Sequence, residues 1–384
     1  METIDQIFVS AAHGIQALAT SWGAPAWLVT LVAMVLPAVV VVIVYPLFFA
    51  FLTWLERKIL ARIQNRYGPN RVGPFGLLQP VADGMKMLTK EDLVPAAADK
   101  LLHGLAPVLI VIPALLVFAL LPLGRNMIAA DVDVSVLFFF AISSMSTLAI
   151  FFAGWGSRNK YSILGAMRAI AQMISYELPV VLTAVPVVMI VGSMRISEIV
   201  AAQDGYWFVF TPWGFVGFIA FFIAGMAELN RSPFDIAEGE SEIIAGFHTE
   251  YSGFKFALFF LAEYLSAIAF SGLAASLFLG GWHGPGFLPS WLWFFLKMLA
   301  LLCVMIWARG TFPRMRVDQL MGFSWKFMLP LALANIVATA VWFYFPGVVG
   351  WVASAAILIL VYFLLSRLNA GLSPEKRVYR YASL

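Results

Sequence analysis

Long apolar runs, broken by short polar stretches, organise this chain of 384 residues. A helix crosses the ~30 Å hydrocarbon core of a bilayer with about 20 apolar residues. By that measure nine spans are predicted, over roughly 27–54, 104–122, 134–155, 169–192, 211–228, 256–279, 290–308, 327–345 and 347–366. The first is overlong and holds Pro37 and Pro46, so it is expected to tilt, kink or project past the bilayer. The fourth and fifth end in polar residues. Only Pro346 and its neighbours separate the last two, as in a tight antiparallel hairpin. There is no internal repeat of the kind that builds inverted-repeat transporters.

The polar positions between these runs set an orientation. Lys and Arg number 24, and 21 of them fall on one side: in residues 56–103, 156–168, 229–255 and 309–326, and in the tail from Arg367. The opposite side holds Arg125 and Arg195, and Lys297 lies inside a span. The positive-inside rule then puts the amino terminus outside and the carboxyl terminus inside, as an odd number of spans requires. The predicted fold class is an all-α integral membrane protein of about nine transmembrane helices, forming a single polytopic domain over 1–384.

Composition agrees. Hydrophobic residues make up 62% and charged residues 12%, against about 45–50% and about 25% in soluble domains. Mean hydropathy is +0.90. Collagen-like, disordered and disulfide-rich classes are excluded. With one cysteine, Cys303, and four scattered histidines (His13, His103, His248 and His283), the chain is not expected to hold an iron–sulfur cluster, a bis-His haem or a tetrahedral zinc site. It also has no GxGxxG or Walker-type phosphate loop, and no nucleic-acid partner is expected. Met1 to Ser21 is acidic at Glu2 and Asp5 and lacks a basic segment followed by a short apolar run, so it reads as an interfacial stretch and not a cleaved signal peptide.

Two inner loops differ in charge. In the basic loop, residues 56–103, Arg57, Lys58, Arg62 and Arg66 alternate with Ile59, Leu60 and Ile63. A basic face resting on anionic lipid accounts for this pattern. Within it, Gly68 to Gly76 cannot be helical, because two prolines and three glycines force turns. An amphipathic stretch, Val81 to Leu88, follows and holds Asp83 and Lys86. The acidic loop, residues 229–255, carries Asp235, Glu238, Glu240, Glu242 and Glu250, beside Glu228, against Arg231 and Lys255. Such a cluster suits proton handling or protein docking better than an anionic membrane.

Charges inside spans are costly and tend to be paired or functional. Glu177, Glu263 and Lys297 interrupt predicted spans, and Glu228 ends one. Burial moves both carboxyl and amine groups toward neutral pH, where protons exchange readily. A proton path accounts for these residues, and so does a structural ion pair such as Glu263 with Lys297. In Arg231-Ser232-Pro233-Phe234-Asp235, Ser232 reads as an N-cap, Pro233 as the first helical residue and Asp235 as the capping-box acid. On a continuing helix, Asp235, Glu238 and Glu242 share one face; a solvated acidic face would look the same.

Several of these segments carry a resemblance. Glu56-Arg57-Lys58-Ile59-Leu60-Ala61-Arg62-Ile63-Gln64 is followed by Gly68-Pro69-Asn70-Arg71-Val72-Gly73-Pro74 and Leu77-Leu78-Gln79-Pro80-Val81-Ala82-Asp83. Further on stand Ile174-Ser175-Tyr176-Glu177, Ala227-Glu228-Leu229-Asn230-Arg231-Ser232-Pro233-Phe234-Asp235, and Arg309-Gly310-Thr311-Phe312-Pro313-Arg314 with Asp318-Gln319-Leu320-Met321. In this order, over about residues 50–335, they resemble the H-subunit family of proton-pumping NADH:quinone oxidoreductase, respiratory complex I, whose mitochondrial counterpart is NADH dehydrogenase subunit 1. Gly322-Phe323-Ser324-Trp325-Lys326 matches the family's Trp-Lys pair more loosely. The ninth span and basic tail, 347–384, exceed the eight-helix pattern of many members.

The resemblance implies a subunit that joins the peripheral redox arm to the membrane arm. It implies a quinone chamber involving Arg57, Arg62, Arg66, Asp83 and Arg309. It also implies a proton path through Glu177, Glu228, Asp235, Glu238, Glu240, Glu242 and Glu263, with Lys297 nearby. Quinone would be the substrate, with FMN and iron–sulfur clusters on partner subunits. The expected partners are peripheral-arm iron–sulfur and quinone-site subunits, antiporter-like and small membrane subunits, and lipid, in a bacterial inner membrane. The alternatives are the membrane anchor of a related hydrogenase or of an oxidoreductase with another electron donor, and, from another class, a stand-alone proton-coupled transporter.

Overall fold

The computed structural model describes residues 7–21, 23, 25–236, 244–345 and 347–370. Over these the chain is helical, with no strand beyond an isolated bridge between Gly124 and Met127. In chain order the helices are α1 (Ile7–Ser21), α2 (Ala26–Ile63), α3 (Gln79–Thr89), α4 (Lys100–Leu116), α5 (Ser135–Ser143), α6 (Met145–Gly156), α7 (Lys160–Val191) and α8 (Ile196–Ala201). There follow α9 (Pro212–Glu228), α10 (Gly253–Phe278), α11 (Ser290–Thr311), α12 (Val317–Phe323), α13 (Leu329–Tyr344) and α14 (Val348–Ala370). Among the described residues, eight helical segments are long and apolar enough to cross a membrane, and α9 is a shorter apolar helix of 17 residues. Each of the nine predicted spans therefore corresponds to one helical segment.

Local chemistry sets several boundaries. Asp99 accepts from the N–H groups of Leu101 and Leu102 and caps α4. Asn159 caps α7 through Tyr161, and Thr211 caps α9 through Gly214 with Pro212 in first position. The prolines of α2 do not end it: the helix continues for 38 residues, about 57 Å at 1.5 Å per residue. It therefore projects well past a ~30 Å hydrocarbon core, and its last turns belong to the basic loop. The third span, by contrast, breaks at Ser144. The hydroxyls of Ser143 and Ser144 both turn back to the Phe140 carbonyl, a contact that competes with the helical ladder.

The bundle packs through small residues and aromatic rings. A Cβ on Gly225 of α9 would lie 1.7 Å from the Phe270 ring of α10, so Gly alone admits that ring. Phe270 in turn stacks on Phe221, with centroids 4.6 Å apart. Between α12 and α13 a π-helical turn, Ser324–Met328, sits against α7: Ser324 donates to the Ser175 carbonyl at 2.6 Å and Tyr176 to the Leu320 carbonyl at 2.9 Å.

Candidate functional site

The site is built around Glu56, near the inner end of α2. Its carboxylate is only 2% exposed and meets two guanidinium groups. Arg231 Nη1 lies 3.2 Å from one oxygen, and Arg309 Nη1 donates to the other. Arg231 turns its Nε to Glu263 of α10 at 2.8 Å and lays its guanidinium 4.1 Å over the Tyr264 ring. Two arginines thus balance two carboxylates. A buried ion costs several kcal/mol unless it is paired with good geometry, and these four groups supply one another's counter-charges. Burial alone would lower the Arg231 pKa, but Glu263 and Glu56 outweigh it and hold the guanidinium charged.

The segment carrying Arg231 is fixed by one side chain. Gln172 of α7 donates to the carbonyls of Ala227 at 2.7 Å and Phe234 at 2.6 Å, stapling both ends of the turn after α9. Residues 231–236 are not helical, so Ser232 and Pro233 do not start a helix and Asp235 is not a capping-box acid. The Asp235 carboxylate lies 3.1 Å from Arg314 instead, and the Met315 N–H donates to the Pro233 carbonyl. The cap prediction fails because Arg314, distant in sequence, and Gln172 satisfy groups that the local pattern assigned to a helix start. Glu238, Glu240 and Glu242 lie outside the described residues.

Glu263 also faces a cavity of about 90 Å³, whose wall holds Glu228, His248 and the hydroxyls of Ser143, Ser146 and Ser266. One water needs roughly 10–15 Å³ of such space and two to four polar partners, and the cavity offers both several times over. Glu228, also on this wall, lies within electrostatic reach of Glu177 and hydrogen-bonds with Ser143. The Ser144 hydroxyl, at the break between α5 and α6, also reaches the Glu177 carboxylate. The structure thus brings Glu56, Arg231, Arg309 and Glu263 into one cluster, places Glu263 and Glu228 on one cavity, and leaves Glu177 within electrostatic reach of Glu228.

The basic loop folds against α2. Arg57 lies 2.6 Å from Asp83 of α3, which also accepts from Gln79 at 3.1 Å and lies 3.9 Å from Lys86. Trp54 donates to the Phe75 carbonyl and Lys58 to Asn70. Gly73 and Gly76, at φ 71° and 80°, make the turns that β-carbons would strain. Arg62 and Arg66 are exposed at the end of α2, with Arg66 donating to Gln64. Of the five expected chamber residues, only Arg57 and Asp83 pair with each other, while Arg309 belongs to the Glu56 cluster.

Lys297 does not meet Glu263. Its ammonium donates to the carbonyls of Leu279 (2.6 Å), Gly281 (3.0 Å) and His283 (2.5 Å), with the Trp207 ring 4.2 Å away. These carbonyls follow the C-terminal end of α10, where a helix leaves acceptors unpaired. Leu279 is 16 residues beyond Glu263, roughly 24 Å along the axis, so the Glu263–Lys297 pair is ruled out.

Sequence reasoning passed over Glu56, Tyr264 and His248 as site residues. Glu56 stands beside Arg57 and Lys58 and reads as a solvated charge; the one signal is that it ends an uninterrupted apolar run.

Among the described residues, nine apolar helical segments around an arginine–carboxylate cluster, which borders a largely apolar cavity holding a few polar side chains, define a polytopic all-α membrane protein with charge built into its interior. A family model described as NADH dehydrogenase matches residues 36–340. The chain is 53% identical to the H subunit of NADH-quinone oxidoreductase from Dehalococcoides mccartyi (strain CBDB1) over 287 residues, 75% of this chain and 80% of that protein. It is 53% identical to the first of the numbered H subunits of the same enzyme from Geobacter metallireducens over 300 residues, 76% and 90% of the two chains. With the H subunit from Carboxydothermus hydrogenoformans it shares 47% over 352 residues, 90% and 99%. The chain belongs to the NADH dehydrogenase family.

Proposed function

We propose that this chain is the membrane subunit of a proton-pumping NADH:quinone oxidoreductase that couples quinone reduction to charge movement through its buried carboxylates. The observation that carries this reading is Arg231, shared between Glu56 on the basic-loop side and Glu263 on the cavity. Reduction of a quinone takes up two electrons and two protons, and negative charge builds up until the protons arrive. Cations at the chamber respond to that charge. Arg309 is 40% exposed by its side chain and touches Glu56, so a change at Arg309 alters the pairing of Glu56, then of Arg231, then of Glu263. Glu263, Glu228 and Glu177 carry the proton onward, and Asp235 with Glu238, Glu240 and Glu242 forms its acidic approach.

In this reading Arg57, Arg62, Arg66, Asp83 and Arg309 line the quinone chamber, and the Arg57–Asp83 pair fastens α3 across its mouth. Quinone is the substrate. FMN and iron–sulfur clusters sit on peripheral-arm subunits, and antiporter-like and small membrane subunits complete the membrane arm. The Lys- and Arg-rich end faces the cytoplasm of a bacterial inner membrane. Lys297 serves as a clamp on the end of α10, outside the proton route.

The second reading is the membrane anchor of a hydrogenase. The names of the relatives favour the quinone enzyme. The test is gentle solubilisation of native membranes and isolation through this chain. Co-purifying flavin and iron–sulfur proteins with NADH:quinone activity are expected. A nickel-bearing large subunit in their place would overturn the assignment, and so would a lone polypeptide that transports protons by itself.

A further inference from the structure

The cavity between Glu263 and Glu228 has a third titratable group in its wall. Among the described lining residues only these two carboxylates and His248 titrate. His248 is 6% exposed and ends the short turn Gly246–His248. That turn is driven into the bundle. A Cβ on Gly165 of α7 would lie 2.5 Å from the Gly246 Cα, so the two backbones touch without side chains between them. Phe256 and Phe259 of α10 hold the imidazole nearly edge-to-face, with centroids 5.6 and 5.1 Å away. The Tyr251 N–H donates to the His248 carbonyl at 2.9 Å, and the Tyr251 ring stacks on His103 at 4.1 Å. The ring is therefore rigidly placed among phenyl groups, Phe247 included, while it lines the cavity that Glu228 and Glu263 also face.

We propose that His248 is a proton carrier of this cavity, passing a proton between Glu263 and Glu228 through intervening water. This inference rests on the reading of the cavity as part of a proton path. A neutral imidazole accepts a proton at one nitrogen and releases one from the other. The Glu263 carboxyl O–H bond breaks and, through water, an N–H bond forms on the ring. The opposite N–H bond breaks and an O–H bond forms on the Glu228 carboxylate. Exchange of the ring tautomer resets the carrier, and no electron changes hands. The hydroxyls of Ser143, Ser146 and Ser266 provide the donors and acceptors that hold the bridging water. The charges facing the ring across the cavity are those of Glu228 and Glu263, the latter held by Arg231.

The test uses the whole complex in proteoliposomes, with His248→Gln and Glu263→Gln made in parallel. For His248→Gln the expected result is full assembly, unchanged electron transfer from NADH to an artificial acceptor in the peripheral arm, and quinone-linked proton pumping lowered roughly tenfold or more. Normal pumping by His248→Gln alongside a fall in Glu263→Gln rejects the histidine relay and keeps the carboxylate path. Normal pumping by both rejects the path, and the relay with it. If His248→Gln does not assemble, His248→Asn is judged by the same pumping criterion; failure of both to assemble makes His248 structural and overturns the proposal.

Discussion

The molecule buries two cations against α10, one at Glu263 within the helix and one just past its C-terminal end, and satisfies them differently. Arg231, 6% exposed, shares its guanidinium between Glu56 and Glu263. Lys297, 9% exposed, spends its three N–H donors on three backbone carbonyls. A carboxylate can take a proton and cancel its partner's attraction; a peptide carbonyl cannot. The first arrangement can therefore change charge state and pass the change on, while the second has one state and holds the end of a helix. Both residues are expensive charges in an apolar bundle, so cost alone does not identify a moving part. What surrounds the cation decides it.

The sharpest way to break this comparison is to remove Arg231. Arg231→Leu leaves the buried Glu56 and the partly buried Glu263 without their shared counter-charge, a loss on the order of 3 kcal/mol. We expect little assembled complex in native gels of membranes carrying that variant; normal amounts of active complex would mean that the cluster is not held by charge. Glu263→Gln is gentler, since the amide keeps the shape and one acceptor. It should assemble while quinone-linked pumping falls by roughly an order of magnitude or more, and undiminished pumping in proteoliposomes would remove Glu263 from the path. Glu177→Gln is expected to assemble as well and to slow or uncouple quinone reduction. Normal rate together with normal pumping would exclude Glu177.

Lys297→Met tests the other cation. Leaving carbonyls unpaired costs about 1–3 kcal/mol, so the melting temperature of the complex should drop. The number of protons pumped per electron should stay at the parental value, because the clamp takes no part in transfer. A lowered ratio in the assembled variant would restore Lys297 to the proton route. The smallest effect is expected at the Arg57–Asp83 pair. With Arg57 half-exposed at 51%, Arg57→Ala should cost under about 1 kcal/mol in stability and appear instead as a raised apparent KM for quinone. An unchanged KM and rate would count against a chamber role.

Much of the architecture was legible in the chain because it depends on local quantities. The apolar runs predict nine spans, most within a few residues, since a helix in lipid must satisfy its own backbone and bury about 20 apolar residues whatever its neighbours. The exceptions are α2, which runs nine residues past its predicted end, and α7, which starts nine residues before its own. The break at Ser144 is not legible in the chain: two serines inside a hydrophobic run look compatible with a continuous helix until their hydroxyls turn back to Phe140. The motifs around Glu56, Glu177, Glu228 and Arg309 were enough to bring out the family resemblance, and the intramembrane carboxylates stood out by solvent cost alone.

Partnership was not legible, and for a physical reason. An ion pair is set by distance in space, and Glu56 finds Arg231 across 175 positions of chain. The sequence offered Lys297 as a partner for Glu263 on charge alone; the length of α10 separates them, and the loop at 229–236 delivers Arg231 instead. Asp235 looked like a cap until residues 312–316 brought Arg314 to it. His248 looked like one scattered histidine among four until the contact of Gly165 with Gly246 turned it into the cavity wall. The chain by itself determined which apolar segments form the helices and which charges they must carry, because desolvation acts on each residue singly. Only the tertiary structure decided which of those charges face each other, because that depends on how the helices pack.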